Sequence, residues 1–276
     1  MHADNRRTGL SQIFAVYADP EHRYVDHWSP PSIRARVQSD WDLTTRAQPD
    51  DTLLTDFVWS PPARRRRIAA GLRPGFVLGS PWAYAQRVPR DAFRTWQDIE
   101  RRSEDPPPPV VVQGTLYLPT HGIQGTHHAR RLAIHLNGIN GPGTVALAPA
   151  DEAVCEIRTA YTGAGHTVVA LGSMHDEPGA SEPRYLVRLM DLIADHERVL
   201  ANAPRVELLY AATMGRTVGI EGPVIGEQDE VLTSLADRLT RLDGPGWRSY
   251  ADSELGTSQV VPPDELRTLL DWIDHD

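Results

Sequence analysis

Short apolar runs alternate with amphipathic stretches throughout the second half of the chain. Continuous apolar runs of this length are typical of parallel strands buried on both faces of a sheet, and the amphipathic stretches between them are typical of covering helices. The pattern predicts an α/β fold, with a Rossmann-like, doubly wound parallel sheet in the C-terminal half. The predicted strands are VVVQGTLYLP, GTVALAP, HTVVALG, RVLAN and TVGIE, and the predicted helices are HARRLAIHLNG, DEAVCEIRTAYTGAG, EPRYLVRLMDLIADH, APRVELLYAATMGR, DEVLTSLADRLTRL and PPDELRTLLDWIDH.

The first half of the chain has a less regular pattern, which predicts a smaller α/β unit. We expect strands over LSQIFAVYA, DTLLTDFVWS and PGFVLGSPWAYA, and helices over WSPPSIRARVQSDWDL and PARRRRIAAGL. The run ARRRR, Ala63 to Arg67, is typical of a solvated helix face in an acidic protein, and a phosphate or nucleic-acid patch is the alternative.

A proline-rich segment separates the two halves. Four consecutive prolines, Pro106 to Pro109, favour a stiff, extended linker that joins neither a helix nor a central strand. The sequence therefore predicts a smaller N-terminal α/β domain over residues 1–105 and a Rossmann-like domain with C-terminal helices over residues 110–276.

Composition narrows the classes of function. The 276 residues carry a net charge of −9, which argues against a nucleic-acid partner. All 28 basic residues are arginine, so neither a Schiff-base lysine nor a P-loop lysine is present. No apolar run has the length of a transmembrane segment, and the first residues lack the apolar core of a signal peptide, so we expect a cytoplasmic protein. The single cysteine, Cys155, forms no internal disulfide, and we expect it in the core rather than as a nucleophile.

The candidate site lies where the predicted parallel strands end, because open parallel sheets bind ligands beyond the carboxyl ends of their strands. The first such loop, PTHGIQGTHHAR, contains Thr120, His121 and Gly122 before a helix. Its glycines and the helix start favour an anion such as phosphate, and His121 then either hydrogen-bonds a leaving phosphate or transfers a proton. The alternative is that His121 only caps the turn. His127 and His128 fall in the first turns of the helix, where we expect them at the surface. A zinc site formed by the three histidines is disfavoured, because their spacing matches no standard ligand pattern.

Two later strand ends add candidates for the same edge of the sheet. Asn202 follows one strand, and Glu207 lies one turn into the next helix, where its carboxylate either accepts hydrogen bonds from sugar hydroxyls or only complements the helix dipole. Tyr210 lies three residues further along the same face of this helix, where it either contacts a ligand or packs in the core. Glu221 and Gly222 end the following strand, and we expect Glu221 to face the same cleft.

Several segments together resemble bacterial surface-polysaccharide biosynthesis proteins related to GT-B glycosyltransferases. The resemblance covers most of the chain after about residue 50. It rests on GTLYLPTHG, LVRLMDLIADHERVLANAPRVELLYAATMGRTVGIEG, VPPDELRTLLDW, FVWSPPARRRRIAAG and GFVLGSPWAY.

The resemblance implies a two-domain transferase that moves sugar units from a nucleotide-linked donor. His121, Asn202 and Glu221 match positions that line the cleft between domains, with the acceptor on the N-terminal side. The chain departs from the pattern in two places. Many such enzymes carry a ribose-binding Glu where this chain has Tyr210, and the loop after the first strand has Thr-His-Gly where His-Ser or His-Pro is more usual.

The favoured hypothesis is therefore a metal-independent glycosyltransferase, with a nucleotide-sugar as co-substrate, a glycan or small-molecule acceptor, and no cofactor. Loop amides together with His121, Arg130 or Arg205 then stabilise the departing phosphate. Asp56 and Asp19 are candidates for the acceptor's base. One alternative is a non-catalytic binding or assembly protein with the same fold. A nucleotide-sugar epimerase is another, disfavoured because no Gly-x-Gly-x-x-Gly follows a strand.

Overall fold

The structure is a computed structural model that describes residues 10–18, 35–38, 41, 55–89, 92, 113–120, 125–171, 184–223 and 230–271. It divides into two compact units. The first comprises residues 1–109, 174–187 and 252–276, and the second comprises residues 110–173 and 188–251. No helix among the described residues has the length and apolar character needed to cross a membrane.

The second unit contains a five-stranded, fully parallel sheet of order β6-β5-β4-β7-β8. Tyr117 pairs with Val145, and Val145 pairs with Val168, which confirms the prediction that these three strands share one sheet. The α/β fold with a Rossmann-like parallel sheet is thereby confirmed. The strands are β4 (Thr115–Leu118), β5 (Thr144–Leu147), β6 (Thr167–Ala170), β7 (Arg198–Ala201) and β8 (Thr217–Ile220).

Helices connect these strands and bury their apolar faces. One core cluster joins Leu132 and Leu136 to Tyr161 and to the strand residues Val145 and Leu200. Burial of such faces supplies most of the stability of each helix. The helices are α4 (Thr126–Asn140), α5 (Pro149–Glu152), α6 (Cys155–Gly163), α7 (Arg184–Ala194), α8 (Val206–Thr213), α9 (Glu230–Leu239) and α10 (Gly244–Leu255).

The first unit contains a three-stranded parallel sheet of order β1-β2-β3. Its strands are β1 (Arg36–Val37), β2 (Asp56–Val58) and β3 (Phe76–Val77). Its helical segments are α1 (Leu10–Ala18), α2 (Pro61–Ala69), α3 (Pro81–Ala85), a 3₁₀ turn (Thr257–Gln259) and α11 (Pro263–Leu269).

The same local device starts two helices of the first unit. After β2, Ser60 caps α2 by accepting a hydrogen bond from the amide of Ala63. After β3, Ser80 caps α3 in the same way through Ala83. A proline follows each serine, where its fixed φ suits the first turn of a helix.

Three predictions for the first half were wrong in whole or in part. The end of the predicted strand PGFVLGSPWAYA forms the helix α3, which Ser80 and Pro81 start. The segment LSQIFAVYA forms the helix α1 instead of a strand, and its Phe14 and Tyr17 pack edge-to-face against Tyr84. Strand β1 lies inside the segment expected to be helical, because Arg36 and Val37 pair with β2.

The arginine run is divided between surface and interior. Arg64 and Arg65 are exposed, as expected of a solvated face. Arg66 instead pairs with the buried Glu254 at 2.7 Å, and Arg67 pairs with the buried Asp56 at 2.9 Å. Half of the run therefore neutralises buried carboxylates.

Candidate functional site

The sheet of the second unit reverses its direction of growth between β4 and β7. From β4 the chain adds β5 and β6 on one side, and it then returns to add β7 and β8 on the other. The carboxyl ends of β4 and β7 therefore form a topological switch point, the place where open α/β sheets bind ligands. The sequence-predicted residues Thr120 and Asn202 follow these two strands.

Asn202 ties three strand ends together with its side-chain amide. Its Oδ1 accepts hydrogen bonds from the backbone N–H and the hydroxyl of Thr120, at 2.8 and 2.9 Å. Its Nδ2 donates to the carbonyl of Pro223 at 3.3 Å, just beyond β8. Asn202 is 2% exposed, so this network lies inside the protein and fixes the ends of β4, β7 and β8 relative to one another.

A buried ion pair lies at the start of α8, next to the end of β4. The Arg205 guanidinium donates to both carboxylate oxygens of Glu207, with distances of 3.1 Å from Nε and 2.6 Å from Nη2. Its Nη1 donates to the carbonyl of Pro119. Both oxygens of Glu207 thus accept hydrogen bonds from within the protein, which strengthens the frame of the switch point.

Tyr210 lies within α8, all of whose residues are buried. Its side chain is 2% exposed and belongs to the core. The roles of Glu207 and Tyr210 as substrate contacts stay predictions.

Glu221 and Gly222 follow β8. The backbone amide of Glu221 donates to the carbonyl oxygen of Ala201 at 2.8 Å, and this bond continues the pairing of β7 with β8. Gly222 has a φ of +106° and approaches α4 so closely that a Cβ would lie 2.9 Å from Leu132 Cδ1 and 3.3 Å from His135 Cδ2. Glycine is therefore needed at this end of the strand. The sequence did not predict that Leu132 and His135 of α4 lie against it.

The loop that follows β4 leads into the uncapped start of α4. His121 and Gly122 lie outside the described residues. Gly125, at a φ of +86°, is the N-cap residue of α4, and as a glycine it has no side chain with which to cap the first amides of this helix. His127 is exposed and His128 is half-buried in the first turn.

Two other sequence-predicted candidates lie elsewhere in the described residues, and a third is not among them. Arg130 is exposed on α4. Asp56 lies at the amino end of β2, where Arg36 and Arg67 donate to its carboxylate. Asp19 lies outside the described residues.

The expectation that Cys155 lies in the core was wrong. Cys155 is the first residue of α6 and is exposed. The helix predicted across this region is divided into α5 and α6 by Ala153 and Val154, which turns the thiol outward.

Carboxylates for a metal ion are not grouped in the part of the chain that the structure describes. Within those ranges, no three His, Cys, Asp or Glu side chains are placed to share a metal ion. The chain does contain two Asp-x-Asp sequences, Asp40-Trp41-Asp42 and Asp274-His275-Asp276, whose aspartates lie outside the described residues. Since carboxylates spaced in this way are potential ligands of a divalent cation, a metal-free site stays a prediction.

No protein-family model and no curated protein sequence matches this chain. Among solved structures, the chain is similar to the wall teichoic acid polymerase TagF, with a TM-score of 0.38 and 12% identity. The similarity covers 88% of this chain and 64% of the polymerase chain, so the chain spans less than two thirds of that polymerase. These comparisons assign no family to the chain.

Proposed function

We propose that this protein transfers a sugar from a nucleotide-sugar donor to a glycan or small-molecule acceptor, without a metal ion, in the cytoplasm. The observation that carries the proposal is the set of polar groups at the switch point between β4 and β7, the position at which parallel α/β sheets bind their ligands. The resemblance of the sequence to proteins related to GT-B glycosyltransferases supports the same reading. In this proposal residues 110–276 bind the donor and residues 1–105 bind the acceptor.

The chemistry requires stabilisation of the negative charge on the departing phosphate. The amide of Thr120 already donates to Asn202, so the backbone amides of His121 and Gly122 and the start of α4 would supply the N–H donors for an anion. The imidazole of His121 donates a hydrogen bond, or a proton, to the phosphate oxygen as the bond to the sugar breaks. These groups would replace the divalent cation on which other transferases rely.

The neighbouring residues hold this loop and border the donor. Asn202 fixes Thr120, and the Arg205–Glu207 pair fixes Pro119, so that the loop leaves the sheet from a rigid base. The carboxylate of Glu221 accepts hydrogen bonds from hydroxyls of the ribose or the sugar beside it.

One observation favours a second candidate function. The pairing of both Glu207 oxygens with Arg205 leaves this carboxylate engaged inside the protein instead of with a ribose. A protein that binds a nucleotide-sugar or a glycan without turning it over would have the same frame and lack the strongest donor contact.

Calorimetric titration with UDP-, GDP-, dTDP- and CMP-sugars tests the proposal, followed by detection of released or transferred sugar with and without EDTA. We expect one nucleotide class to bind and to be turned over equally in both conditions. Binding without turnover would support the second candidate. Loss of turnover in EDTA and its recovery with Mn²⁺ or Mg²⁺ would reject the metal-free mechanism, and absence of binding to every donor would reject both candidates.

Replacement of His121 tests the catalytic assignment. If the imidazole serves the departing phosphate, His121→Ala lowers kcat by about 10²–10⁴-fold and leaves KM and Tm nearly unchanged. His127→Ala is the matched control, because this histidine is exposed in the first turn of α4. If His121→Ala instead costs about 0.5–2 kcal/mol of stability with unchanged kcat, the residue is only a turn cap.

A further inference from the structure

A groove on the second unit extends away from the start of α4. It runs between α4 and α6 and encloses about 460 Å³. The side chains that line it come from one face of each helix: Thr126, Arg130 and Ile134 on α4, and Cys155, Glu156, Thr159, Ala160, Gly163 and Ala164 on α6.

The groove combines a protruding apolar side chain with a wall of small residues. Ile134 is 62% exposed and projects from a helix whose other face contributes to the core. Opposite it, α6 presents Ala160, Gly163 and Ala164, and a Cβ built on Gly163 would meet nothing within 4 Å. The surface therefore carries a protruding apolar side chain, the knob, beside an open space over Gly163, the hole.

The groove also carries one charge of each sign. Arg130 and Glu156 both line it, and neither has a hydrogen bond or an ion pair with any residue in the described ranges. By contrast, Arg158 on the same helix as Glu156 pairs with Glu152 at 3.2 Å. A partner that satisfies the groove must supply an anion, a cation and an apolar side chain together.

We propose that the occupant is a second copy of this chain, bound through the same groove around a two-fold axis. An isologous contact requires a self-complementary surface, because each copy meets the other with the same patch. This groove meets that requirement: the Ile134 knob of one copy enters the Gly163 hole of the other, and Arg130 of each pairs with Glu156 of the other. Ile134, Glu156 and Gly163 take no part in the proposed sugar transfer. Arg130 is also a candidate partner of the departing phosphate, so the dimer is tested by sedimentation and not by activity.

Sedimentation velocity over a wide range of protein concentration tests the proposal directly. We expect a concentration-dependent dimer of the full chain. Ile134→Glu should raise the dimer dissociation constant by at least about 30-fold, the scale of a lost hot-spot contact. Ile139→Glu is the matched control, because Ile139 is 47% exposed on the same helix but does not line the groove, and it should leave the dimer intact.

Two further sets of variants distinguish loss of this contact from a general effect on folding. One fills the space over Gly163, and the other exchanges the two charges. Gly163→Leu places a bulky side chain in the hole and replaces a poor helix former by a good one. Its Cβ meets nothing within 4 Å, so the monomer should fold while dimerisation is lost. Arg130→Glu or Glu156→Arg alone should weaken the dimer by about 10-fold or more through like-charge pairs, and the double variant should restore it to within about 5-fold.

Three results would overturn the proposal. The first is a wild-type chain that remains monomeric at every concentration, which would leave the groove to another occupant. The second is an equal loss of dimer in Ile134→Glu and Ile139→Glu. The third is a double charge variant as weak as the single ones.

Discussion

Tyr161 is a buried side chain whose hydroxyl is a source of instability. It lies on α6 at 0% exposure, and its Oη has no hydrogen-bond partner among the described residues. Tyr161→Phe keeps the ring and removes an unsatisfied polar atom, so it should stabilise the protein by about 1–2 kcal/mol. Urea unfolding measures this change.

Tyr117 supplies the matched control for that substitution. It is equally buried in the same unit, but its hydroxyl lies 3.3 Å from the carbonyl of Leu136 and 3.2 Å from that of Gly141, to one of which it donates. Tyr117→Phe should therefore cost about 1 kcal/mol. A loss of stability in Tyr161→Phe comparable to that in Tyr117→Phe would contradict the interpretation.

Single residues of the site differ in how far the sequence predicts their contacts. Thr120 and Asn202 could be placed at one edge of the sheet, because each directly follows an apolar run and parallel strands end on the same side. The pairing of Arg205 with Glu207 was not predicted, because residues two apart do not face each other on a helix. It forms since Arg205 precedes α8 in an extended conformation, with φ −141° and ψ 148°, which frees its side chain from the helical spacing.

At the scale of elements, Gly256 decides whether the segment after α10 fits the first unit. A Cβ at this position would lie 2.0 Å from the carbonyl oxygen of Trp59 and 3.3 Å from the Cα of Gly79, both backbone atoms. Gly256 also has a φ of +61°. Gly256→Ala should therefore destabilise the protein by about 3 kcal/mol or more, since neither backbone contact has room to yield.

Gly71→Ala is the control that separates the cost of a left-handed backbone from that of steric overlap at Gly256. Gly71 has a φ of +74°, and its Cβ would meet nothing within 4 Å. This variant should lose only about 1 kcal/mol, the cost of a left-handed conformation for alanine. Thermal unfolding of both variants checks the difference, and equal losses would show that the contact with Trp59 relaxes.

The sequence predicts elements best where periodicity and turn residues agree. In the second unit each apolar run is bounded by glycine, proline or acidic residues, and all five strands are found. The segment LSQIFAVYA has no clear alternation, and a short, buried apolar run fits a strand or a helix equally well. Helix α10 was not predicted, because its first turn, Gly-Pro-Gly, consists of residues that disfavour helix.

The molecule as a whole should lose stability at alkaline pH through its buried tyrosines. Burial raises the pKa of Tyr84, Tyr117 and Tyr161 above the ordinary value of 10.0. The folded chain then keeps protons that the unfolded chain releases, so their contribution is complete below pH 10.0 and declines as the pH rises above it. The slope should reach up to about 1.4 kcal/mol per pH unit for each tyrosine.

The absence of lysine makes this prediction easy to read. All 28 basic residues are arginine, whose charge persists throughout the alkaline range, so no lysine titration overlaps that of the tyrosines. Urea unfolding at pH values from about 8 to about 11 measures the slope, and Tyr161→Phe should reduce it by the share of one tyrosine. A free energy of unfolding that stays constant above pH 10.0 would contradict the assignment.

The hydrogen bonds between Asn202 and Thr120 have a consequence for the order in which the strands can pair during synthesis. They join residues that are 82 positions apart, and synthesis proceeds from the amino end. Strands β4, β5 and β6 are all synthesised before residue 202, so β4 can pair with β5 while its other edge is still open. That edge belongs to a strand whose four residues are all buried in the finished protein, and an open edge of this kind invites pairing with another chain. The edge of β4 beside the proposed donor site is therefore open to mispairing with other chains until β7 has been synthesised and pairs with it.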